Sequence, residues 1–210
     1  MERPMFDTIK GLSWQDRIDN YNRESGFPAS LFIAGDGRAV GTWLLGQNYQ
    51  AKQGYHGEYP PNYLRRVRTL FPDKQRVLHL FAGKVDVTAF PGHTVDINPA
   101  LNPDWLEDGQ TLKTVPVEYY DLVLADPPYS NEDANHYGTP MINRNTTMQT
   151  LKRLKPGAHI VWLDTMLPMW NKHYFSLEAS IGVVRSTNHR FRIVSIFRRL
   201  SNATGDQQAV

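Results

Sequence analysis

Asp126-Pro127-Pro128-Tyr129 carries the clearest chemistry in the chain, and it follows directly on the apolar run DLVLA (121–125). An aspartate carboxylate and the carbonyl of the first proline are two acceptors that can hold both hydrogens of an exocyclic amino group. With its hydrogens held, the nitrogen can pyramidalise, recover a lone pair otherwise delocalised into a base ring, and attack an electrophilic methyl group. The two prolines stiffen the loop so that the acceptors are already aimed. Tyr129 then offers a face on which an extruded base stacks, and its ring rather than its hydroxyl is expected to matter. At this composition the tetrapeptide arises by chance in roughly a few sequences per thousand. The bland alternative is an Asp-Pro turn that merely ends a strand.

Such a loop needs a sheet behind it. From Val77 onward, apolar runs bounded by Gly, Pro and Asp alternate with helical or turn-rich stretches: VLHLF (77–81), HTVDI (93–97), DLVLA, AHIVWL (158–163), SLEASIGVV and RFRIVSIFRR. Continuous apolar runs of this length are the pattern of buried parallel strands. Between the third and fourth, TPMINRNTTMQTLKRLKPG predicts a helix capped by Thr139, with Pro140 at its first position and Pro156-Gly157 as its stop. The last two runs have only turn residues between them, which predicts an antiparallel hairpin at the sheet edge. The whole is an α/β fold, and ligands of open α/β sheets bind beyond the C-terminal strand ends, where Asp126 falls. Residues 1–60 read as an N-terminal extension, with a β-hairpin around Asp36-Gly37 and an aromatic-rich stretch. Residues 61–200, beginning with a short helix over Tyr63–Phe71, form the main domain, and 201–210 are a polar tail.

These residues resemble the amino-group methyltransferases, class I S-adenosylmethionine enzymes that methylate exocyclic nitrogens of adenine or cytosine in DNA and sometimes RNA. The resemblance spans about 55–200 and implies a Rossmann-like class I methyltransferase sheet. Phe81-Ala82-Gly83 looks like the family's cofactor loop, where a missing side chain lets the methionine part come close. Asp96 matches the acid that binds the cofactor's ribose hydroxyls, Asp108 the residue near its adenine, and Tyr55 lies in the additional cofactor-binding segment. Asp126, Pro127, Pro128 and Tyr129 match the catalytic motif. The chain departs from the pattern at Lys84-Val85, where a second glycine is usual, and at His79, where an acid often stands. Only twelve residues separate Gly83 from Asp96, so the first crossover is expected to be an irregular turn rather than a helix. The activity implied is transfer of a methyl group from S-adenosylmethionine to the 6-amino group of adenine in DNA. The alternatives are RNA adenine, DNA cytosine, or a regulatory module that binds the cofactor without catalysis.

Composition narrows the chemistry further. The 210 residues contain no cysteine, which excludes disulfides, thiolate zinc sites and methylation through a cysteine adduct. The histidines show no metal-ligand spacing, so no metal is expected. A balance of 23 basic against 21 acidic residues requires any nucleic-acid footprint to be local. Two clusters qualify: Arg65, Arg66 and Arg68, and Arg185, Arg190, Arg192, Arg198 and Arg199. Strand alternation would put Phe191, Ile193 and Phe197 on one face and Arg190, Arg192 and Arg198 on the other, as a phosphate track or a solvated face. Trp43, Tyr49, Tyr55 and Tyr59 are either base-stacking or core residues. The expected partner is nucleic acid, DNA before RNA. With no separate recognition domain, target choice falls to residues 1–60, to the loop Ser130–Thr139, or to a second subunit in a homodimer. No secretory signal or membrane span is visible, and a cytoplasmic location is expected.

Overall fold

The computed structural model describes residues 11–46, 59–130, 132, 134–135, 138–185 and 191–201. In chain order the elements are α1 (Trp14–Glu24), β1 (Leu31–Ile33), β2 (Ala39–Leu45), α2 (Tyr63–Leu70), β3 (Val77–Leu80), β4 (His93–Asp96), β5 (Trp105–Leu106), β6 (Leu122–Ala125), α3 (Arg144–Thr150), β7 (His159–Asp164), β8 (Phe175–Arg185) and β9 (Phe191–Arg199). The described residues form a nine-stranded sheet in the order β1-β2-β8-β9-β7-β6-β3-β4-β5. From β3 the chain steps outward through β4 and β5, then returns to the other side of β3 and continues through β6 and β7, all in parallel. This reversal between β3 and β6 is the switch point of a doubly wound sheet, where a ligand crevice opens. With β9 antiparallel to both β7 and β8, the sheet is the Rossmann-like, doubly wound α/β type that was expected.

The central strands are buried on both faces, and their residues divide between two core layers with the two-residue period of a strand. Leu122, Leu124, Val161 and Leu163 pack toward α1 and α2 with Trp43, Tyr63, Val67 and Phe71. Val123, Ala125, Ile160 and Trp162 pack on the opposite layer with Met148, Leu151 and Phe197.

Four expectations change. The β8–β9 hairpin is not an edge: β9 lies between β7 and β8, and β2 extends the sheet by pairing in parallel with β8. The hairpin of β1 and β2 is therefore part of the main sheet. The helix after the motif begins later than expected, because Asn143, not Thr139, accepts from the backbone amides of Asn145 and Thr146. Finally, the arginines of β9 do not line a solvated track. Arg192 is 7% exposed and Arg199 8%, while Phe191, assigned to the buried face, is 62% exposed. Both faces of β9 are largely covered, so its polar side chains must find internal partners.

The first crossover is irregular, as its length required: residues 81–92 contain turns and no helix. His79 holds it in place, with Nε2 at 2.9 Å from the Phe90 carbonyl. Helix α1 escaped the sequence reading. Its signal is Ser13-Trp14-Gln15-Asp16, a capping box in which Ser13 Oγ accepts from the Asp16 amide and Asp16 accepts from the Ser13 amide.

Candidate active site

The strand register brings Phe81–Gly83, Asp96 and Asp108-Gly109 to one end of the sheet. Leu80 pairs with Val95 in β4 and with Ala125 in β6, so Phe81 emerges beside both Asp96 and Asp126. Phe81 itself has φ +57°, a left-handed conformation costly for a residue with a side chain, and such strain clusters at functional loops. Gly83 follows at φ +54°, where glycine is the natural residue. The loop is tied down by the Ala82 amide donating to the Val95 carbonyl (3.0 Å) and the Gly83 amide donating to Asp96 Oδ2 (2.9 Å). Asp96 Oδ1 accepts from the Asn98 amide (2.9 Å). Each carboxylate oxygen therefore takes one backbone donor and retains lone-pair capacity for a further one, the pair of acceptors to which two vicinal hydroxyls can donate. Exposed Ile97 adds an apolar surface next to it.

Asp108-Gly109 joins this cluster through Phe81. A Cβ on Gly109 would lie 2.7 Å from the Phe81 ring, so the third segment approaches the first only because residue 109 is glycine. Asp108 Oδ1 accepts from the Gln110 amide (2.9 Å), and Gln110 in turn links to the segment after the motif, its Oε1 accepting from the Asn143 amide (2.6 Å).

Asp126 leaves β6 one strand away from this loop. The Tyr129 hydroxyl donates to Asp126 Oδ1 and accepts from Arg192 Nη1. The Arg192 guanidinium also lies over the Tyr129 ring, 5.0 Å from its centroid. Burial, followed by the Asp126 charge, pushes the Tyr129 phenol well above its ordinary range, against the opposing pull of Arg192. Tyr129 is thus a protonated donor at neutral pH. The expectation that its hydroxyl is idle does not match a hydroxyl with two charged partners. Tyr59 and Tyr63 stand in the same electrostatic neighbourhood: burial first and Asp126 second raise both phenols, and neither hydroxyl has a hydrogen-bond partner among the described residues.

Arg192 is the residue of this site that the sequence did not point to as such. It begins β9, and because β9 runs antiparallel to β7, its first residues arrive at the same end of the sheet as the last residues of β6 and β7. The only available signal was an arginine inside a strand rich in apolar residues. Asp164, the last residue of β7 and 0% exposed, is held by Arg144 at 2.7 and 3.0 Å and by the Trp162 indole at 3.0 Å, which anchors α3 beside the motif.

Other sequence candidates divide between the interior and the surface, where Arg65 and Arg68 are exposed. Arg66 is buried, stacks over Phe27 at 3.7 Å and donates to Tyr21 Oη and the Leu44 carbonyl. Arg65 and Arg68 donate to the carbonyls of Glu24 and Ala89. Trp43 is fully buried core. Tyr49, Tyr55 and Arg190 lie outside the described residues. Among the described residues no cluster of His, Asp and Glu could hold a metal ion, and no helix is long and apolar enough to cross a membrane.

No protein-family model and no curated protein matches the sequence. Among solved structures, the chain is similar to an rRNA methylase from Streptococcus thermophilus at 10% identity and TM-score 0.40, over 61% of this chain and 88% of that one. It is also similar to the mitomycin 7-O-methyltransferase MmcR at 13% identity and TM-score 0.40, over 65% of this chain and 56% of that one. At this level of similarity the two structures bear on neither substrate nor mechanism.

Proposed function

We propose that this protein is an S-adenosylmethionine-dependent methyltransferase acting on an exocyclic amino group, foremost the 6-amino group of adenine in DNA. The observation that carries the reading is the placement of Asp126-Pro127 at the switch point of the sheet, one strand from the Phe81–Gly83 loop and the Asp96 carboxylate. Asp96 would hold the ribose hydroxyls, the Phe81–Gly83 backbone the methionine part, and the Asp108-Gly109 turn with Ile97 the adenine. When bound, the cofactor supplies an electrophilic methyl group on a sulfonium.

The chain's own residues supply position and charge. The Asp126 carboxylate and the Pro127 carbonyl accept the two amino hydrogens and turn the nitrogen lone pair toward the methyl group. As the new bond forms and the methyl group parts from sulfur, positive charge grows on that nitrogen; a carboxylate fixed beside it stabilises the charge without reorganising, and one amino hydrogen then leaves as a proton to solvent. No thiolate takes part, since the chain has no cysteine.

The test is transfer of labelled methyl from S-adenosylmethionine to duplex DNA, single-stranded DNA and RNA, followed by digestion to nucleosides. Label in N6-methyladenine from DNA is expected. Label in methylated RNA adenine or in N4-methylcytosine would reassign the substrate. Cofactor binding with no transfer to any of the three would replace the enzyme by a regulatory binding module.

A further inference from the structure

A carboxylate that must accept a substrate hydrogen in one direction has to be prevented from rotating, and side chains lock only when their partners are themselves locked. Asp126 leaves the strand on a short side chain, and its Oδ1 is bonded to the Tyr129 hydroxyl. That hydroxyl is fixed in turn by Arg192, which reaches it from a different strand. Arg192 makes two kinds of contact with the same residue, a hydrogen bond to the oxygen and a stack over the ring at 5.0 Å. These restrain the tyrosine both in its plane and across it. Arg192 also brings a positive charge to a 7%-exposed position where Asp126 is the nearby negative one. An isolated cation would not be buried there without such a counter-charge.

We infer that Arg192 is a positioning residue for methyl transfer: through the Tyr129 hydroxyl it sets the orientation of the Asp126 carboxylate, and with it the direction in which that carboxylate can meet an amino hydrogen. The inference rests on the amino-methyltransferase reading. It gives Tyr129 a duty that base stacking does not require, since a phenylalanine stacks equally well. The chain of contacts also links β9 to β6 across β7, so the geometry of the acceptor depends on the antiparallel strand.

The experiment compares Tyr129→Phe, Arg192→Lys, Arg192→Met and Asp126→Ala with the full chain, measuring kcat and KM for adenine-containing DNA, S-adenosylmethionine affinity by calorimetry, and melting temperature. Losing a hydrogen bond to a charged group is expected to lower kcat about ten- to a hundred-fold in Tyr129→Phe, with KM and cofactor affinity within a few-fold of the parent. Arg192→Met should lose at least as much, and Arg192→Lys should recover part of it by restoring the charge without the stack. A Tyr129→Phe protein with unchanged kcat would overturn the inference while an inactive Asp126→Ala left the functional reading standing. A loss expressed only in KM would overturn it too, in favour of a substrate-binding role for the hydroxyl. Should Arg192→Met fail to fold, Tyr129→Phe, which removes one surface-shielded oxygen, carries the decision. A parent protein that transfers no methyl group to any nucleic acid overturns the functional reading and this inference together.

Discussion

At the N-terminal end of β7, Glu178 accepts from His159 at 3.2 Å and from the Trp14 indole at 3.0 Å, and forms an ion pair with Arg198 at 2.6 Å. Beside it Arg17 grips Asp73 at 2.6 and 2.9 Å and donates to the Leu70 carbonyl, and Lys74 donates to the Gly157 carbonyl. At the other end of the same sheet, Asp96 accepts from backbone amides, Phe81 is held in a left-handed conformation, and two tyrosine hydroxyls near Asp126 are buried without hydrogen-bond partners among the described residues. Both ends bury ionisable groups, but they use them differently. At the first, side chains close on one another and weld α1, β7, β8 and β9 together. At the second, the backbone is strained and acceptor capacity is left over, which is the condition of a surface built to meet something else.

The difference can be broken most severely at Asp126. Asp126→Ala should reduce methyl transfer at least a hundred-fold, the scale of removing a preorganised electrostatic group, while calorimetry shows S-adenosylmethionine bound as before. Activity near that of the parent would remove the motif from the chemistry.

The welded end should reveal itself in acid. Burial holds His159 at about 4 against an ordinary 6.5, although the bond to Glu178 pulls the other way, and burial holds His79 at about 4 as well. Folded values below unfolded ones mean that the unfolded chain takes up protons first, so this stability is complete above about pH 6.5 and is lost as pH falls toward 4. For His159 alone the loss is on the order of 3 kcal/mol. Glu178 follows lower down: burial raises it, but His159, Arg198 and Trp14 overcome that and hold it at about 2, so its contribution disappears between about 4.5 and 2. Guanidinium midpoints from pH 7.5 to 4 should fall steeply, and a His159→Asn protein should show a flatter slope. An equal slope in the two proteins would dissociate His159 from the effect.

A smaller change is expected at the cofactor end. Asp96→Ala removes a charge-assisted acceptor worth about 1.5–3 kcal/mol and should weaken S-adenosylmethionine roughly ten-fold or more, with little change in melting temperature. Unaltered affinity would take Asp96 out of the site. Least of all, Ser13→Ala should lower stability by about 1 kcal/mol through loss of the α1 cap and leave transfer by the folded protein untouched. A fall in activity at 25 °C would mean that the two ends communicate.

Much of the site was legible because its residues lie in local sequence beside their strands. Phe81-Ala82-Gly83, Asp96, Asp108 and Asp126 each follow an apolar run or a turn, and reading strand ends was enough to place them together. The β9 arginines misled for the opposite reason. Alternation tells which side chains share a face but not whether that face meets water, and both faces of β9 are largely covered after Phe191. The start of α3 was misplaced because Thr139-Pro140 and Asn143 both carry start signals, and only the hydrogen bonds of Asn143 decide between them.

What the sequence by itself determined is the parallel strands β3, β4, β6 and β7, the irregular first crossover and the place of Asp126-Pro127 at a strand end, since these depend on apolar runs, chain length and two prolines. Only the tertiary structure decided that β9 enters between β7 and β8 and that β2 continues the sheet, because strand order is a long-range choice that leaves no mark on local periodicity. That choice delivers Arg192, sixty-three positions from Tyr129 in the chain, to the tyrosine hydroxyl. A hydrogen bond across such a separation is specified by the packing of the whole sheet, and no shorter stretch of the chain contains it.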